Sequence, residues 1–300
     1  MSLPTVKQLR YFIALEEERH FGRAAEACFV SQSAFSVAIK ELESLLEVRL
    51  VDRTNRKVTV TELGREIATQ ARLCMRDIEA LVEIARGQRE SLAGPLRLGV
   101  IPTIAPFLLP KVLPGLRKAY PKLQPLLREE TTQRIYEGLM DGRLDLILLA
   151  LPYDLRNVEV MSLFRDHFRL ACRAGSGLVD PENYRFNRLD AESVLLLDDG
   201  HCLRDHAISA CRIRNLDKVS RFSASSLLTL VEMVDADLGI TYLPEMAEGS
   251  SILSGTRVRT YPMRDGAYRE IGLAWRKGSG RARDFRLLGE FIREHAQFHS

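Results

Sequence analysis

Residues 21–48 read FGRAAEACFVSQSAFSVAIKELESLLEV, and this pattern predicts two helices joined by a tight turn. The first helix, over 21–28, carries Ala24 and Ala25 where two helices need to approach closely. Ser31 is placed to cap the second helix by accepting a hydrogen bond from a backbone N–H group. The apolar residues of the second helix recur at the spacing of one buried face, and they are Phe35, Ile39, Leu42 and Leu46. A short helix, a turn and a longer helix indicate a helix-turn-helix.

The opposite face of the second helix is small and polar, so it can approach the edges of DNA bases. Lys40 lies further along this face, where it can reach a backbone phosphate. The residues predicted to contact DNA, including two arginines that follow the helix, are Ser31, Gln32, Ser33, Ser36, Val37, Lys40, Arg53 and Arg56.

The flanking segments extend this motif in both directions. An amphipathic helix is predicted over 6–17, and a small β hairpin over 50–60. The segment RLVDRTNRK at 49–57 holds four basic residues and one acidic residue. Such a run is more often a solvated surface when it stands alone. Beside a helix-turn-helix, its basic tip suits the phosphate backbone of DNA.

A long helix is predicted to follow, with Thr61 as its cap and one apolar seam at intervals of mostly four and three. The seam consists of Leu63, Ile67, Ala71, Cys74, Ile78, Leu81 and Ala85. A helix of this length cannot bury such a seam by itself, so the pattern predicts a dimer with two DNA-reading heads. We interpret Cys74 as a small buried apolar residue of the seam.

Length and composition set limits on the class of protein. The chain has 300 residues, of which 46% are hydrophobic and 28% charged, enough for two folded units and too polar for a membrane span. The N-terminal segment lacks the features of a secretion signal, so a cytoplasmic location is expected. The five cysteines are scattered and form no C-x-x-C pair, so neither a metal site nor a disulfide scaffold is predicted. The net charge of +3 identifies no partner.

From residue 95 onward, short β-rich runs alternate with helical patterns, which is typical of an α/β domain. Helices are predicted over 105–120 and 282–295. Strands are predicted at 96–101, 145–151, 168–172, 193–198, 239–243 and 271–275. No dinucleotide fingerprint, phosphate loop, metal-spaced histidine cluster or G-x-S-x-G elbow occurs here. We therefore expect neither a cofactor nor an enzymatic activity.

The most informative segment of this domain is DDGHCLRDHAISACRI at 198–213. A helix is predicted to begin near Cys202, and its N-terminus, with the neighbouring His201 and Arg204, is expected to lower the pKa of a partly exposed Cys202 thiol. Cys211 is expected on the buried face. A continuous helix separates the two cysteines by about 13.5 Å of rise. A disulfide needs Cα atoms within about 7 Å, so its formation requires the helix to unwind. The alternative is that both are ordinary small helical residues.

The N-terminal segment resembles the LysR-type transcriptional regulators, because the AA pair, the VSQS turn, the I-x-x-L-E run and a terminal T-x-x-G occur together. The resemblance implies a winged helix-turn-helix head over 1–61, a dimerisation helix over 62–92 and an effector domain over 93–300. In this family the effector domain has two Rossmann-like lobes, similar to periplasmic binding proteins, with a sensing site between them. It also implies homodimers that assemble into homotetramers on double-stranded promoter DNA, in contact with RNA polymerase.

Within that family, GHCLRD followed by a second cysteine resembles the hydrogen-peroxide sensors that control antioxidant genes. The resemblance implies that Cys202 is the peroxidatic cysteine and Cys211 the resolving one, joined reversibly by a disulfide. The residues that it implies in or around the peroxide pocket are Thr103, Thr132, His201, Arg204, Asp205 and Arg269.

Two other hypotheses remain open. Many relatives respond to a small carboxylate or aromatic ligand held between the lobes, and this chain is compatible with such a regulator. A thiol peroxidase is disfavoured because turnover would need a recycling site that the sequence does not show.

Overall fold

The computed structural model describes residues 3–54, 57–85, 91–213, 215–263 and 266–296. The chain divides into two compact units. The first comprises 1–90 with 140–143, and the second comprises 91–139 with 144–300. The domain boundaries at 61/62 and 92/93 stay predictions.

The first unit contains four helices and a hairpin within the described residues. They are α1 (Val6–Glu18), α2 (Phe21–Ala27), α3 (Gln32–Leu46), β1 (Val51–Thr54), β2 (Lys57–Val60) and α4 (Glu62–Ala85). The predicted helix-turn-helix is present, and β1 and β2 pair antiparallel as the wing. Phe12, Leu15, Phe35, Ile39 and Leu42 are fully buried and form the centre of the core.

Local capping explains where these helices begin. Thr5 and Gln8 form a reciprocal capping box at α1, and the Ser31 hydroxyl accepts from the Ala34 N–H group at α3. Thr61 does the same for the N–H group of Gly64 at α4, at 2.9 Å. At Gly64, an added Cβ atom would lie 2.3 Å from the Leu50 carbonyl oxygen. The T-x-x-G pattern therefore lets α4 start directly against the wing.

The apolar seam of α4 is largely open in the single chain. Leu63 and Leu81 are exposed, Leu81 to 64%, and Ile67 and Ile78 are half-buried. Cys74 is exposed in the single chain, whereas Ala71 is already buried, so the predicted burial of Cys74 depends on the proposed dimer. The side chain of Ala85 lies outside the description. This uncovered stripe agrees with the predicted dimer seam, because large apolar groups in a row favour a protein partner.

The second unit contains nine strands and five helices within the described residues. The strands are β3 (Gly94–Val100), β4 (Leu123–Glu129), β5 (Leu146–Leu151), β6 (Val158–Arg173), β7 (Val194–Leu197), β8 (Val219–Ala224), β9 (Thr241–Pro244), β10 (Val258–Pro262) and β11 (Tyr268–Arg276). The helices are α5 (Ala105–Ala119), α6 (Thr132–Met140), α7 (Cys202–Ala210), α8 (Leu227–Asp235) and α9 (Ala282–His295).

These strands build the two lobes that the family resemblance predicted. The main sheet has the order β10-β6-β11-β5-β3-β4, and β9 also pairs with β6. The first part of β6 pairs with β11, whereas its end at Phe168–Arg173 pairs with β9 and β10. The strand β6 therefore passes from the first lobe, around β3, β4, β5 and β11, into the second, where β7 and β8 pair in parallel.

The predicted α/β elements are present, and α9 has the predicted bounds. Five further elements had no prediction, namely β4, α6, β8, α8 and β10. The strand β4 shows the reason. Only Leu123 is buried in it, so the strand lacks the alternating apolar pattern by which sequence analysis recognises a strand.

Candidate functional site

The predicted DNA-reading face lies on α3 and its cap. Ser31, Gln32, Ser33, Val37 and Lys40 are exposed, whereas Ser36 is half-buried. The Ser31 and Ser33 hydroxyls are 3.1 Å apart. Arg56 lies outside the described residues, and the side chain of Arg53 is likewise outside the description. The exposed part of this face is a polar helical surface of the kind that enters a major groove.

A concave surface of about 430 Å³ lies between α3 and the start of the wing, lined by Lys40, Glu43, Arg49, Val51 and Asp52. The Glu43 carboxylate accepts from the N–H groups of Leu50 and Val51, which fixes the wing to α3. Lys40 and Arg49 therefore stand on one supported surface beside the reading helix.

In the second unit, Cys202 is the first residue of α7, directly after the N-cap residue His201. Its position at a helix N-terminus is as predicted, but its exposure is not. Cys202 is only 7% exposed, whereas Cys211 is half-buried. The expectation of a partly exposed Cys202 was wrong, whereas Cys211 is partly buried and packs against the core. The helix turns its first residue, with Leu203, His206 and Ala207, toward the core and ends before Cys211.

The electrostatic environment of Cys202 also differs from the prediction. Burial raises the pKa of the Cys202 thiol, against the opposing effects of the Thr132 hydroxyl, the Arg269 charge and the Ala150 backbone. The predicted lowering of this pKa was therefore wrong, because desolvation outweighs the helix N-terminus. The nearby Asp205 carboxylate raises the pKa further.

Arg204 does not supply the positive charge that sequence analysis assigned to it. Its Nε atom pairs with Asp199 at 3.0 Å, and its Nη1 atom donates to the Leu197 carbonyl oxygen. The ion pair between Arg204 and Asp199 ties the first turn of α7 to the loop that precedes it. The cation that acts on Cys202 is instead Arg269.

Arg269 is fully enclosed and holds several partners at once. Its Nε atom donates to Asp166 at 2.9 Å, and its Nη1 and Nη2 atoms donate to the hydroxyl and carbonyl oxygens of Thr103 at 2.8 Å each. The sulfur of Met246 lies 3.6 Å from Nη2. Burial raises the pKa of the Asp166 carboxyl, and the Arg269 charge opposes that rise. Sequence analysis identified Arg269 but missed Asp166.

Thr103 and Thr132 are both 2% exposed. The Thr103 hydroxyl oxygen accepts from Arg269, and Thr132 begins α6 with its hydroxyl beside Cys202. Among the described residues, the Thr132 Oγ1 atom has no partner within normal hydrogen-bond geometry. The structure thus brings Cys202, Thr103, Thr132 and Arg269 into one buried polar cluster, which suits a small hydrogen-bonding molecule.

His206 belongs to the same helix face and was also missed by sequence analysis. Its Nε2 atom lies 2.9 Å from the Pro152 carbonyl oxygen, and its Nδ1 atom has no partner among the described residues. Burial lowers the pKa of His206, and the Arg269 charge adds to that effect. A neutral imidazole that donates from Nε2 fits this setting. His206 therefore ties α7 to the end of β5.

Cys211 caps the C-terminal end of α7, so the helix separates it from Cys202 as predicted. Its sulfur lies 3.8 Å from that of Met263. It stands in the wall of a groove of about 520 Å³, which also contains Tyr184, Phe186 and Tyr261. Both cysteines are thiols, and a disulfide between them requires α7 to unwind.

A second cavity, of about 310 Å³, lies between the lobes. Thr103, Glu129, His201, Ser226 and Leu228 are among its lining residues. It adjoins the buried cluster through Thr103 and His201. The cavity lies where the resemblance placed a ligand.

The described residues contain no group of three or more His, Cys, Asp or Glu side chains arranged to hold a metal ion. None of their helices combines the length and the apolar character needed to cross a bilayer.

Comparison with known proteins identifies the class. Residues 6–65 match the bacterial regulatory helix-turn-helix proteins of the lysR family, and residues 89–297 match the LysR substrate binding domain. The chain belongs to the LysR family of transcriptional regulators, so the predicted family and fold class are confirmed.

Individual relatives show which members of the family this chain is similar to. The chain is 37% identical to the hydrogen peroxide-inducible genes activator of Dickeya chrysanthemi, over 98% of this chain and 96% of the relative. It is 42% identical to the HTH-type transcriptional regulator EstR of Acinetobacter baylyi, over 84% of this chain and 83% of EstR. A full-length OxyR variant from Pseudomonas aeruginosa has a similar structure, with a TM-score of 0.83 and 32% identity over 98% of this chain and 96% of that chain.

Proposed function

We propose that this protein is a transcriptional regulator that responds to hydrogen peroxide through a reversible disulfide between Cys202 and Cys211. The observation that carries the proposal is the site of Cys202. Its thiol is buried at the first turn of α7, beside the Thr132 hydroxyl and in the field of Arg269. The name of the Dickeya chrysanthemi relative supports the same function.

In the first step, the Cys202 thiolate attacks one oxygen of hydrogen peroxide. A sulfur–oxygen bond forms, the oxygen–oxygen bond breaks, and the other oxygen leaves as hydroxide that a proton converts to water. The sulfur is oxidised to sulfenic acid and the peroxide is reduced. Thr103 and Thr132 would hold the two oxygens, and Arg269 would stabilise the negative charge that develops on the departing one.

The residues around the start of α7 would support this reaction without contacting the sulfur. His201 is the N-cap residue, and the Arg204–Asp199 ion pair closes the preceding loop. Asp205 lies in the first turn, where its charge is favourable to the helix dipole. These residues would hold the start of α7 in place, and with it the Cys202 side chain.

In the second step, the Cys211 sulfur attacks the sulfenic acid, and water leaves as the disulfide forms. The family resemblance assigns the resolving role to Cys211, which lies at the far end of the same helix. The disulfide is incompatible with α7 as a helix, so oxidation replaces one local fold by another. That refolding would change how the protein contacts DNA.

We propose that the protein acts as a homotetramer built from homodimers on double-stranded promoter DNA. It would control antioxidant genes, mainly as an activator that contacts RNA polymerase. Gln32, Ser33, Ser36 and Val37 would read bases, with Ser31 at the cap, and Lys40, Arg53 and Arg56 would contact phosphates. We expect a cytoplasmic protein, with no cofactor and no catalytic turnover of peroxide.

The test is mass spectrometry after equimolar peroxide, on wild type and two variants. Wild type should yield one crosslinked peptide joining Cys202 and Cys211, with Cys28, Cys74 and Cys172 largely unmodified. Cys211→Ser should stop at a trappable sulfenic acid on Cys202. Cys202→Ser should lose the DNA response, because a hydroxyl is a far poorer nucleophile than a thiolate. A persistent DNA response with Cys202 still a thiol contradicts the proposal.

A second candidate is a regulator that binds a small carboxylate or aromatic molecule in the 310 Å³ cavity between the lobes. The 42% identity to EstR, whose name mentions no peroxide, favours keeping it. Thermal melting with benzoate and similar compounds tests it, since a bound ligand raises the melting temperature. A ligand-dependent DNA response without thiol oxidation would favour this candidate over peroxide sensing.

A further inference from the structure

Asp166 is a buried carboxylate that no step of the proposed chemistry uses. It lies directly opposite Arg269 in the ladder between β6 and β11, and its side chain is 1% exposed. Both of its oxygens accept hydrogen bonds. Oδ2 accepts from Arg269 Nε at 2.9 Å, and Oδ1 accepts from the Met246 backbone N–H group at 3.1 Å.

The Arg269 guanidinium is planar, so a partner on its Nε edge determines where its two outer nitrogens point. Here they point at Thr103, through Nη1 to the hydroxyl oxygen and Nη2 to the carbonyl oxygen. Because the Thr103 hydroxyl oxygen accepts from Arg269, its own proton is directed toward a different acceptor. The chain of contacts from Asp166 to Arg269 to Thr103 therefore has a fixed donor direction.

We propose that Asp166 is a positioning residue of the peroxide site, which holds Arg269 so that Thr103 offers its hydroxyl proton to the departing oxygen of peroxide. The inference rests on the proposed function. As the Cys202 sulfur bonds to one oxygen and the oxygen–oxygen bond breaks, the second oxygen gains electron density. The Thr103 hydroxyl donates a hydrogen bond to that oxygen, which takes up the proton released when the Cys202 thiol ionises and leaves as water. Asp166 touches neither sulfur nor peroxide and acts only through Arg269.

A buried carboxylate can also serve the fold alone, and the same unit offers such a case for comparison. Asp145 is buried, and its Oδ2 atom accepts from the Arg97 backbone N–H group at 2.8 Å. It lies just before β5 and is not part of the Cys202 cluster. Asp145→Asn is therefore a matched control for the loss of a buried carboxylate.

The experiment compares two reactions of the same thiol in a Cys211→Ser background, where no disulfide forms. The rate constants of Cys202 with hydrogen peroxide and with iodoacetamide are measured at one pH by mass spectrometry. Asp166→Asn keeps the shape but offers one acceptor and one donor, so an N–H group must face either Arg269 Nε or the Met246 N–H group. The ratio of peroxide to iodoacetamide rates should fall by about tenfold or more, because small displacements of catalytic groups are costly.

In the control, Asp145→Asn should leave this ratio unchanged. A purely structural role of Asp166 predicts that both rates of Cys202 change together. An unchanged ratio in a folded Asp166→Asn variant therefore overturns the proposal.

Two further variants test the route of the effect. In a Thr103→Val background the acceptor is already gone, so Asp166→Asn should lower the ratio by less than about threefold. If Asp166→Asn lowers the ratio as much in the Thr103→Val background as it does alone, the effect does not pass through Thr103, and that route is overturned. If Asp166→Asn does not fold, Asp166→Glu keeps the charge and displaces it by one methylene. Asp166→Glu should lower the ratio as well. A ratio equal to that of the Cys211→Ser parent would show that the charge suffices without its position, and it would overturn the proposal.

The parent protein separates the two levels of failure. If Cys202 of the Cys211→Ser parent does not react with peroxide, the proposed function fails and this inference with it. If it reacts and the Asp166 variants keep the parent's ratio, only the role of Asp166 is overturned.

Discussion

At the scale of single residues, the proposed reactive role of Cys202 is combined with an environment that disfavours its reactive form, the thiolate. Burial raises the pKa of its thiol, so little thiolate exists in the resting protein at neutral pH. Thr132 and Arg269 act in the opposite direction. Reactivity toward peroxide would then depend on groups aimed at the oxidant more than on a permanently ionised sulfur.

The raised pKa predicts how Cys202 responds to pH. Alkylation of Cys202 by iodoacetamide should be slow at pH 7 and increase about tenfold per pH unit up to at least pH 9, because only the thiolate reacts. Mass spectrometry of the labelled peptide in a Cys211→Ser protein measures this. A rate that levels off below pH 8 would contradict the raised pKa.

His206 predicts a pH dependence of stability. Its pKa in the folded protein lies below its ordinary value of 6.5, so the unfolded chain binds the proton more readily. The stability that it contributes is present above that value and is lost as the pH falls through 6.5 toward the lower folded pKa. His206→Gln keeps a donor for Pro152 but does not titrate. Urea unfolding should show a smaller loss of stability between pH 7.5 and 5 in the variant, and equal losses would exclude His206.

The site residues illustrate how far sequence reasoning reaches. Cys202, Thr103, Thr132 and Arg269 were identified by resemblance, and the structure brings them together. Asp166 and His206 were missed because their roles depend on a partner far along the chain, Arg269 and Pro152 respectively. The pKa of Cys202 was predicted in the wrong direction, because the helix N-terminus is visible in sequence and the depth of burial is not.

At the scale of elements, α7 supports Cys202 and is also the barrier to the proposed disulfide. Its first residue is buried and Cys211 follows its last turn. Whatever stabilises the helix should slow the second chemical step without changing the first.

Ser209 tests this barrier because it is an exposed residue near the end of α7. Glycine is less favourable than alanine in a helix by about 1 kcal/mol, a factor of roughly five in an equilibrium constant. Disulfide formation after oxidation of Cys202 should therefore be up to about fivefold faster in Ser209→Gly than in Ser209→Ala. Rapid-quench mass spectrometry measures both steps, and sulfenic acid formation on Cys202 should be the same in the two variants. Equal rates of disulfide formation would mean that unwinding does not limit the step.

The long helix α4 gives the second prediction at this scale. Leu81 is 64% exposed in the single chain and belongs to the proposed seam. Leu81→Asp should weaken the dimer by on the order of several kcal/mol, because a charge would be buried in a dry interface. Sedimentation measures the assembly. Glu79→Lys changes the charge at an exposed position of α4 on another side of the helix and should leave the dimer intact. An unchanged assembly in Leu81→Asp would reject the seam.

The elements that sequence reasoning predicted share strong periodic patterns. Helix α3 and the closing helix α9 each show one continuous apolar face, and β5 is buried along nearly its whole length. The strand β4 is exposed at all but one position and was not recognised. Such a strand is defined by its hydrogen bonds to β3, which are made with residues distant in sequence.

At the scale of the whole molecule, a dimer would present two copies of the α3 face to one operator. Binding should then depend strongly on salt, because each phosphate contact releases counterions from DNA. The exposed Lys40 is the described residue best placed to show this.

Lys40→Ala should weaken binding to all operators by a similar factor and reduce the slope of log K against log salt by about 0.9 for each phosphate that the protein no longer neutralises. Fluorescence anisotropy over a range of salt concentrations measures both. Lys118→Ala removes the same charge from α5 in the second unit and should change neither. An unchanged slope in Lys40→Ala would show that Lys40 does not bind a phosphate.

The burial of Cys202 limits which oxidants can reach its sulfur in a cell. A thiol that is 7% exposed is shielded from bulky molecules and is open only to small reagents such as hydrogen peroxide and iodoacetamide. Glutathione disulfide, protein disulfides and bulky organic hydroperoxides are larger oxidants, and the walls around the sulfur would exclude them by size alone. Molecular selectivity of this kind needs no recognition of peroxide as such. The burial that raises the pKa of the Cys202 thiol would therefore also make the proposed sensor selective. The sulfur would stay reduced in the presence of larger oxidants and react with hydrogen peroxide.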